Sequence, residues 1–441
     1  MYNEQKDIIL VTDFVLHNGN CIDVLKTMEE NSVDSVVTDP PYELGFMGKS
    51  WDSTGIAYSV DMWSEVMRVL KPGGHLLAFS GTRTYHRMVV AIEDAGFEIR
   101  DQIGWVFGSG FPHGLNIGKA IDATLLHGSS HSTGIKKTNE TRPGDSRNTA
   151  SLPNNGIMST ERKTNIVNDN AATEEAKRWE GWNTSLKPAF EPVCVARKPL
   201  SEKTVAKNVL KHGTGGINID DCRIDAEEGG RPLRETAPLR DDVEYSGNAL
   251  AGRLDGSLQS SRAIGSTNLG RFPANIIHDG SDEVVALFPE SKGQQGDVKG
   301  TEPSHTGDDN TNCYGEYQRI PSAKRGDTGS AARFFYCAKA SKSDRNEGNT
   351  TNNHPTVKPT DLMKYLCRLV TPKGGTVLDP FNGSGSTGKA AMLEGFNYIG
   401  IDLDPEYIKI SQARIQDAKE QYEKEQNPFG DLFEFGTPND K

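Results

Sequence analysis

The sequence predicts an α/β protein in which one parallel sheet is assembled from the two ends of the chain. Three observations carry this expectation. Apolar, β-branched runs alternate with stretches of helical spacing over the first ~110 residues. The same alternation returns from about Ala332. Between the two lies an irregular polar insert of about 220 residues, too long for an ordinary connection in a compact domain.

Taken in order, Phe14–His17 reads as a short apolar strand, and Cys21–Met28 has helical spacing. Val33–Thr38 (VDSVVT) is apolar and β-branched, which suits a strand buried on both faces. Trp63–Leu70 reads as a helix. Lys71-Pro72-Gly73-Gly74 is expected to break the chain before a strand at His75–Phe79. Thr84–Ala95 reads as a helix ended by Gly96, and Gln102–Phe107 as a strand. Gly128 to about Thr173 is rich in Ser, Thr, Asn and Gly and is expected to be a mobile or disordered loop, and Ser291–Asn312 looks similar. Short apolar pieces, Val193–Ala196 and Ala274–Ile277, lie between them. Phe334–Ala338 then reads as a strand and Thr360–Val370 as an amphipathic helix. Thr376–Leu378 is a strand, Gly388–Glu394 a helix, Tyr398–Ile401 a strand, and Glu406–Lys424 a long charged helix. The expected division is 1–120, an insert 121–330, 331–425 and an acidic tail 426–441.

The chain has 441 residues, 35% hydrophobic and 25% charged. It holds no apolar run of roughly 18 residues, so no membrane span is expected. The segment MYNEQKDIILVTD lacks a signal-peptide core, which predicts a cytoplasmic protein. The six cysteines form no CxxC pair, so neither a disulfide framework nor a metal site is expected. The net charge of −12 argues against a protein that coats nucleic acid without specificity. Two segments are nonetheless basic, and local field outweighs the sum. Residues 183–213 carry six Lys/Arg against two acids, and residues 319–345 seven against two.

Asp379-Pro380-Phe381-Asn382-Gly383-Ser384-Gly385-Ser386-Thr387-Gly388 follows a predicted strand and opens a predicted helix. Gly383, Gly385 and Gly388 fit G-x-G-x-x-G, where glycines allow a tight turn and close approach of a ligand to the backbone. Asp402, ending the next strand, stands where a carboxylate accepts from ribose hydroxyls. Three ligands are compatible. A phosphate loop fits Gly383–Lys389, although Ala390 replaces the hydroxyl residue that holds magnesium. A nicotinamide dinucleotide would use the same glycines. S-adenosyl-L-methionine needs the turn and the carboxylate but no phosphate nest.

Asp39-Pro40-Pro41-Tyr42 directly follows VDSVVT, at the carboxyl end of a parallel strand, where open α/β sheets bind ligands. Its chemistry suits an exocyclic amine of a base, a poor nucleophile because its lone pair is delocalised into the ring. The Asp39 carboxylate and the Pro40 carbonyl can accept its two N–H groups and turn the nitrogen toward sp³ geometry. Pro40 and Pro41 stiffen the turn, and Tyr42 offers a face for a base that has left the duplex. Cys21 is the nearest cysteine, so a covalent adduct is not implied. Direct in-line transfer from a sulfonium needs positioning and electrostatics only.

These residues together resemble the N6-adenine/N4-cytosine amino-methyltransferases of DNA. The likeness covers roughly residues 12–115 and 330–415, about 190 of 441. Asp379–Thr387 resembles the family's DPFxGSGTT, with Ser386 for the first threonine. His354-Pro355-Thr356-Val357-Lys358-Pro359 resembles HPTxKP, which implies that Lys358 and Pro359 contact the cofactor's methionine part. Gly19-Asn20-Cys21 stands for the family's Gly-Asp-Cys, placing Asn20 and Cys21 near the cofactor's adenine, with asparagine replacing the usual carboxylate. Asp379, Phe381, Gly383, Gly385, Thr387 and Asp402 complete the implied cofactor set. The order, target motif then insert then cofactor motif, resembles the permuted β class. It implies a Rossmann-like S-adenosylmethionine-dependent methyltransferase sheet of about seven strands, circularly permuted, with the insert recognising the target. Arg333–Lys342 resembles the segment before HPTxKP. Gly45–Lys49 and Lys187–Pro192 look like phage and prophage methylases.

The implied activity is site-specific DNA methylation. Within the family DPPY leans to adenine N6 and SPPY to cytosine N4, so adenine is the expected base and N4-cytosine the alternative. The implied partner is double-stranded DNA, with Arg231, Arg234 and Arg240 among the candidate base readers. Gly45, Gly48 and Gly55 could make Glu43–Tyr58 a lid. Monomer or homodimer, and any cognate restriction enzyme, are left open. Methylation of a protein glutamine amide uses Asn-Pro-Pro-Tyr, and it is disfavoured by Asp39 and by the permuted order. The insert and the order disfavour RNA methylation. A binding-only protein finds no broken catalytic residue here, and a nicotinamide enzyme leaves DPPY unexplained.

Overall fold

The computed structural model describes residues 13–44, 50–110, 114–128, 171–224, 232–237, 260–266, 270–292, 328–339, 344, 346, 352 and 357–426. Several expectations fall outside them: most of the polar loop (129–170), residues 293–312, the tail from 427, Gly45–Lys49, His354–Thr356, Arg231 and Arg240. Arg234 is described only as backbone.

The strands are β1 (Phe14–Asn18), β2 (Val33–Thr38), β3 (Leu70–Phe79), β4 (Glu98–Val106), β5 (Phe190–Arg197), β6 (Pro232–Ala237) and β7 (Ser260–Ser266), then β8 (Ile276–His278), β9 (Glu290–Lys292), β10 (Thr328–Ser330), β11 (Tyr336–Cys337), β12 (Thr376–Asp379) and β13 (Asn397–Asp402). The helices are α1 (Cys21–Thr27), α2 (Val60–Val69), α3 (Tyr85–Asp94), α4 (Ile117–His127), α5 (Glu174–Lys177), α6 (Val205–His212), α7 (Asp282–Val285), α8 (Thr360–Val370), α9 (Ser386–Leu393) and α10 (Pro405–Gln426).

The chain divides into two compact units, residues 1–108 with 190–441, and residues 109–189. The first contains a nine-stranded sheet in the order β1-β13-β12-β2-β3-β5-β4-β8-β11. Its two halves are joined where β2 pairs in parallel with β12, Ser35 opposite Val377 and Val36 opposite Leu378. All six residues of β2 are buried, as a strand covered on both faces requires. Alternate side chains serve two cores. Val37 packs with Leu77, Leu366 and Met392 of the α8–α9 side. Val36 packs with Leu25, Trp63 and Ile92 of the α1–α3 side. Polar groups reinforce the joint: Asp34 accepts from the Thr376 amide (2.9 Å) and pairs with Lys71, and the Ser35 and Thr371 hydroxyls bond at 2.8 Å.

Three expectations change. The Lys71-Pro72-Gly73-Gly74 break lies inside β3, which starts at Leu70. The ladder to β2 slips there, from Val33–Leu70 to Ser35–His75. Gly73 adopts φ +82°, and the Pro72 carbonyl turns aside to accept from Asn208 Nδ2 and Thr214 Oγ1, both at 2.7 Å. The punctuation is thus a bulge rather than a stop. Second, Val193–Ala196, which the sequence division left in the insert, belongs to β5. This strand lies between β3 and β4 and is antiparallel to both. The sheet also exceeds the expected seven strands, through the three-residue β8 and the two-residue β11.

In the second unit Asn116 caps α4 through the Lys119 amide (3.0 Å). Asp122 accepts from the amides of Ala172 and Thr173, at 2.7 and 2.9 Å. Trp179 and Trp182 meet edge to face, 5.1 Å between centroids. No helix among the described residues is long and apolar enough to cross a membrane. Among those residues no group of three or more His, Cys, Asp or Glu could hold a metal ion.

Candidate active site

β12 continues through α9 to β13 on one side of the sheet, and β2 through α2 to β3 on the other. Their carboxyl ends therefore flank a topological switch point, the place where open α/β sheets leave a crevice. Both sequence motifs emerge there. Thr38, the last residue of β2, donates its hydroxyl to Asp379 Oδ1 at 2.6 Å, across 341 positions of chain. Asp379 also accepts from Thr387 Oγ1 (2.7 Å) and from the Phe381 amide (3.0 Å). It is 2% exposed. Burial pushes its pKa up to about 6, against the lowering effect of the three donors. Asp379 and Thr387 thus brace the glycine turn from beneath.

The turn is shaped by neighbours on both sides. Gly383 and Gly385 have φ of +50° and +77°. The Gly383 amide donates to Asp402 Oδ2 (2.7 Å), and the Asp404 amide to Asp402 Oδ1 (2.8 Å). Each carboxylate oxygen keeps a second lone pair, so Asp402 can still accept from a diol. Burial raises its pKa, while these amides oppose the rise. A side chain on Gly385 would meet Ser411 Cβ at 2.7 Å, and one on Gly388 would meet Ile415 Cδ1 at 2.4 Å. The turn therefore lies against α10 with its backbone. Phe381 is half-buried over the α1–α3 core.

Residues 18–21 join from the neighbouring edge. Asn18 Nδ2 donates to the Asp402 carbonyl (3.0 Å), and so does the Gly19 amide (3.0 Å). Asn20 caps α1, its side-chain oxygen accepting from the Ile22 amide at 2.9 Å. Cys21 is buried, and burial pushes its thiol up to about 11. Asn20, Cys21, Asp379–Thr387 and Asp402 hence line the carboxyl ends of three adjacent strands, β1, β13 and β12. Pro359 caps α8, whose first residue, Thr360, accepts from Lys389 of α9 at 3.1 Å.

The target motif carries an arrangement that sequence reading did not foresee. Lys358 Nζ lies 2.9 Å from Asp39 Oδ2, 3.1 Å from Glu191 Oε2 and 2.9 Å from the Tyr42 hydroxyl. An ammonium has three N–H donors, and three acceptors surround this one. The resemblance gave Lys358 to the cofactor; the structure turns its ammonium toward the target motif. Burial disfavours the charge, but the two carboxylates outweigh it and hold the lysine pKa above its ordinary range. Tyr42 also donates to Glu191 (3.2 Å). Burial and the same carboxylates raise its pKa well above the usual value. Asp39 Oδ1 is buried and has no hydrogen-bond partner among the described residues.

Glu191 reaches this point because β5 is antiparallel: its first residues lie at the carboxyl edge of the parallel strands, with Val193 opposite Phe79. The loop after Tyr42 is tied rather than loose where it is described. Glu43 has φ +56°, and the amides of Glu43 and Leu44 donate to the buried Asp52 (2.9 and 3.1 Å). Glu43 in turn accepts from the Gly55 amide (2.8 Å).

A family model for DNA methylases, N6_N4_Mtase, matches residues 33–413, spanning both motifs and the crevice between them. The chain belongs to the N6/N4 DNA methylase family. Among relatives of this chain, the type II methyltransferase M2.DpnII of Streptococcus pneumoniae is 44% identical over 63 residues, 14% of this chain and 24% of that one. The DNA adenine methyltransferase YhdJ of Escherichia coli is also 44% identical over 63 residues, covering 14% and 21%. The type II methyltransferase M.HindIII of Haemophilus influenzae is 24% identical over 246 residues, covering 46% and 64%. The match thus spans about a quarter of the first relatives and under two thirds of the third. Among solved structures, the cytosine-N4-specific PvuII DNA methyltransferase aligns over 95% of this chain and 94% of its own, at 13% identity and a TM-score of 0.42.

Proposed function

We propose that this methylase transfers a methyl group from S-adenosyl-L-methionine to the exocyclic amine of a base turned out of double-stranded DNA, and that the base is adenine. The observation that carries the reading is Asp39. It directly follows β2, with one buried carboxylate oxygen unpartnered among the described residues, and β2 lies beside the strand that bears the glycine turn. A buried acceptor without a donor is costly, and an amine N–H on a bound base supplies one.

The bound cofactor supplies a sulfonium methyl. The chain's residues do the rest. The carboxyl ends of β1, β13 and β12 hold the cofactor, with Asp402 accepting from its ribose and the Gly383–Gly385 backbone against its body. Asp39 Oδ1 and the Pro40 carbonyl accept the two amine hydrogens, and the amine proton released on transfer passes to Asp39. Pro41 keeps that carbonyl fixed. Tyr42 provides the stacking face. The insert, apart from β5 and α6, which packs against the start of β3 at the far edge of the sheet, positions the duplex through phosphate contacts. The Asp39-Pro-Pro-Tyr sequence favours adenine within the family.

The test is expression in a methylation-free bacterial host, followed by single-molecule sequencing of its DNA. N6-methyladenine at a defined sequence is the expected result. N4-methylcytosine would reassign the base. Unmodified DNA, with soluble protein present, would remove the reading.

A further inference from the structure

We infer that Lys358 and Glu191 form a charge-balanced clamp that sets Asp39 for the transfer step, so that Glu191 is a positioning residue and Lys358 serves the target amine rather than the cofactor. The inference rests on the methyltransferase reading and deepens it.

Lys358 holds Asp39 Oδ2 at 2.9 Å while Asp39 Oδ1 stays unpartnered. The ammonium thus fixes the rotation of the carboxylate and reserves one oxygen for the amine. Left alone, such a pair would be electrically neutral, and the lysine would blunt Asp39 as an acceptor. Glu191 Oε2, 3.1 Å from the same ammonium, restores one net negative charge to the cluster. That charge suits a site where the amine nitrogen becomes positive as its bond to carbon forms. Glu191 also accepts from the Tyr42 hydroxyl, which ties the stacking face to the same clamp. Lys358 lies 4.7 Å from the Phe79 ring centroid and 5.2 Å from that of Tyr42. Two aromatic faces and three oxygens confine it, and its side chain is 11% exposed.

The test uses the 441-residue chain, radiolabelled S-adenosyl-L-methionine and genomic DNA from a methylation-free host. Glu191→Gln should lower the single-turnover rate on the order of tenfold to a hundredfold, the worth of one hydrogen bond to a charged group, while cofactor affinity by calorimetry stays within about twofold. In a Lys358→Met background the same substitution should change the rate little, since the charge that Glu191 balances is gone. Three results would overturn the clamp: a wild-type rate for Glu191→Gln, an equal loss in both backgrounds, or a parallel loss of cofactor affinity. If Glu191→Gln melts early, Glu191→Asp must recover transfer, and failure to do so counts against the clamp. A wild-type chain that labels no DNA removes the methyltransferase reading as well, whereas an active wild type with an unaffected Glu191→Gln removes only this inference.

Discussion

Replacing Gly385 with alanine tests whether the glycine turn is built by contact with α10 or by backbone conformation alone. Gly385 has φ +77°, a region that costs a non-glycine residue roughly 1–2 kcal/mol. A Cβ there would also stand 2.7 Å from Ser411 Cβ and 3.0 Å from its Cα. Those are atoms of a helix, not the end of a flexible side chain, so turn or helix must move. Overpacking of this kind costs about 1–3 kcal/mol, which makes a total of about 2–5 kcal/mol. Gly213 supplies the control. Its φ is +75°, but nothing lies within 4 Å of the added atom, so Gly213→Ala should lose only the conformational part, roughly 1–2 kcal/mol. Urea unfolding of both variants measures the difference. Because the Gly383 amide of the same turn is bonded to Asp402, Gly385→Ala should also weaken S-adenosyl-L-methionine binding, read by calorimetry, while Gly213→Ala should not. Equal stabilities for the two variants, with cofactor affinity untouched in both, would refute the contact.

Asp39→Ala should reduce methyl transfer on the order of a hundredfold to a thousandfold, as for loss of a group aimed at the transition state. Its cofactor affinity should stay near wild type, and wild-type turnover would remove Asp39 from its role. Asp402→Ala should raise the cofactor dissociation constant on the order of tenfold, since one charged acceptor is lost and the Gly383 amide is freed; an unchanged calorimetric affinity would take Asp402 out of the site. Asp379 gives a pH signature. Its pKa is about 6 in the folded chain against 3.8 ordinarily, so the folded state binds more protons between these values. Its contribution to stability is present below pH 4 and lost as pH rises through 6, on the order of 3 kcal/mol. Asp379→Asn should flatten that part of the stability–pH curve, and an identical slope in both proteins would contradict the shift.

What could be read from the sequence was what is encoded locally. VDSVVT announces a doubly covered strand through its three valines, with Asp34 the one charged residue, and the two motifs announce their edge because each directly follows a strand. β5 was harder. Four apolar residues inside a polar stretch say nothing about which strands they will lie between, and antiparallel insertion between β3 and β4 is a tertiary choice. Glu191 was hidden for the same reason: it becomes part of the site only through the direction of β5. Lys358 was found by its motif, but its contact with Asp39 was not legible, because that contact spans more than three hundred positions. Pro72 and Gly73 misled in a different way. They were read as a stop, but a strand tolerates them when the displaced carbonyl finds side-chain donors.

The seam between β2 and β12 also sets a timetable for synthesis. The Asp34 carboxylate that steadies this seam waits for the amide of Thr376, 342 positions downstream. At ~5–20 residues per second, a ribosome needs roughly 20–70 s to deliver that partner. Throughout that interval β2, buried along its whole length in the finished fold, has one flank uncovered. The β2–β3–β5–β4 half of the sheet can pair within the first two hundred residues, so the nascent chain carries a part-built sheet with an open edge until its last strands are delivered.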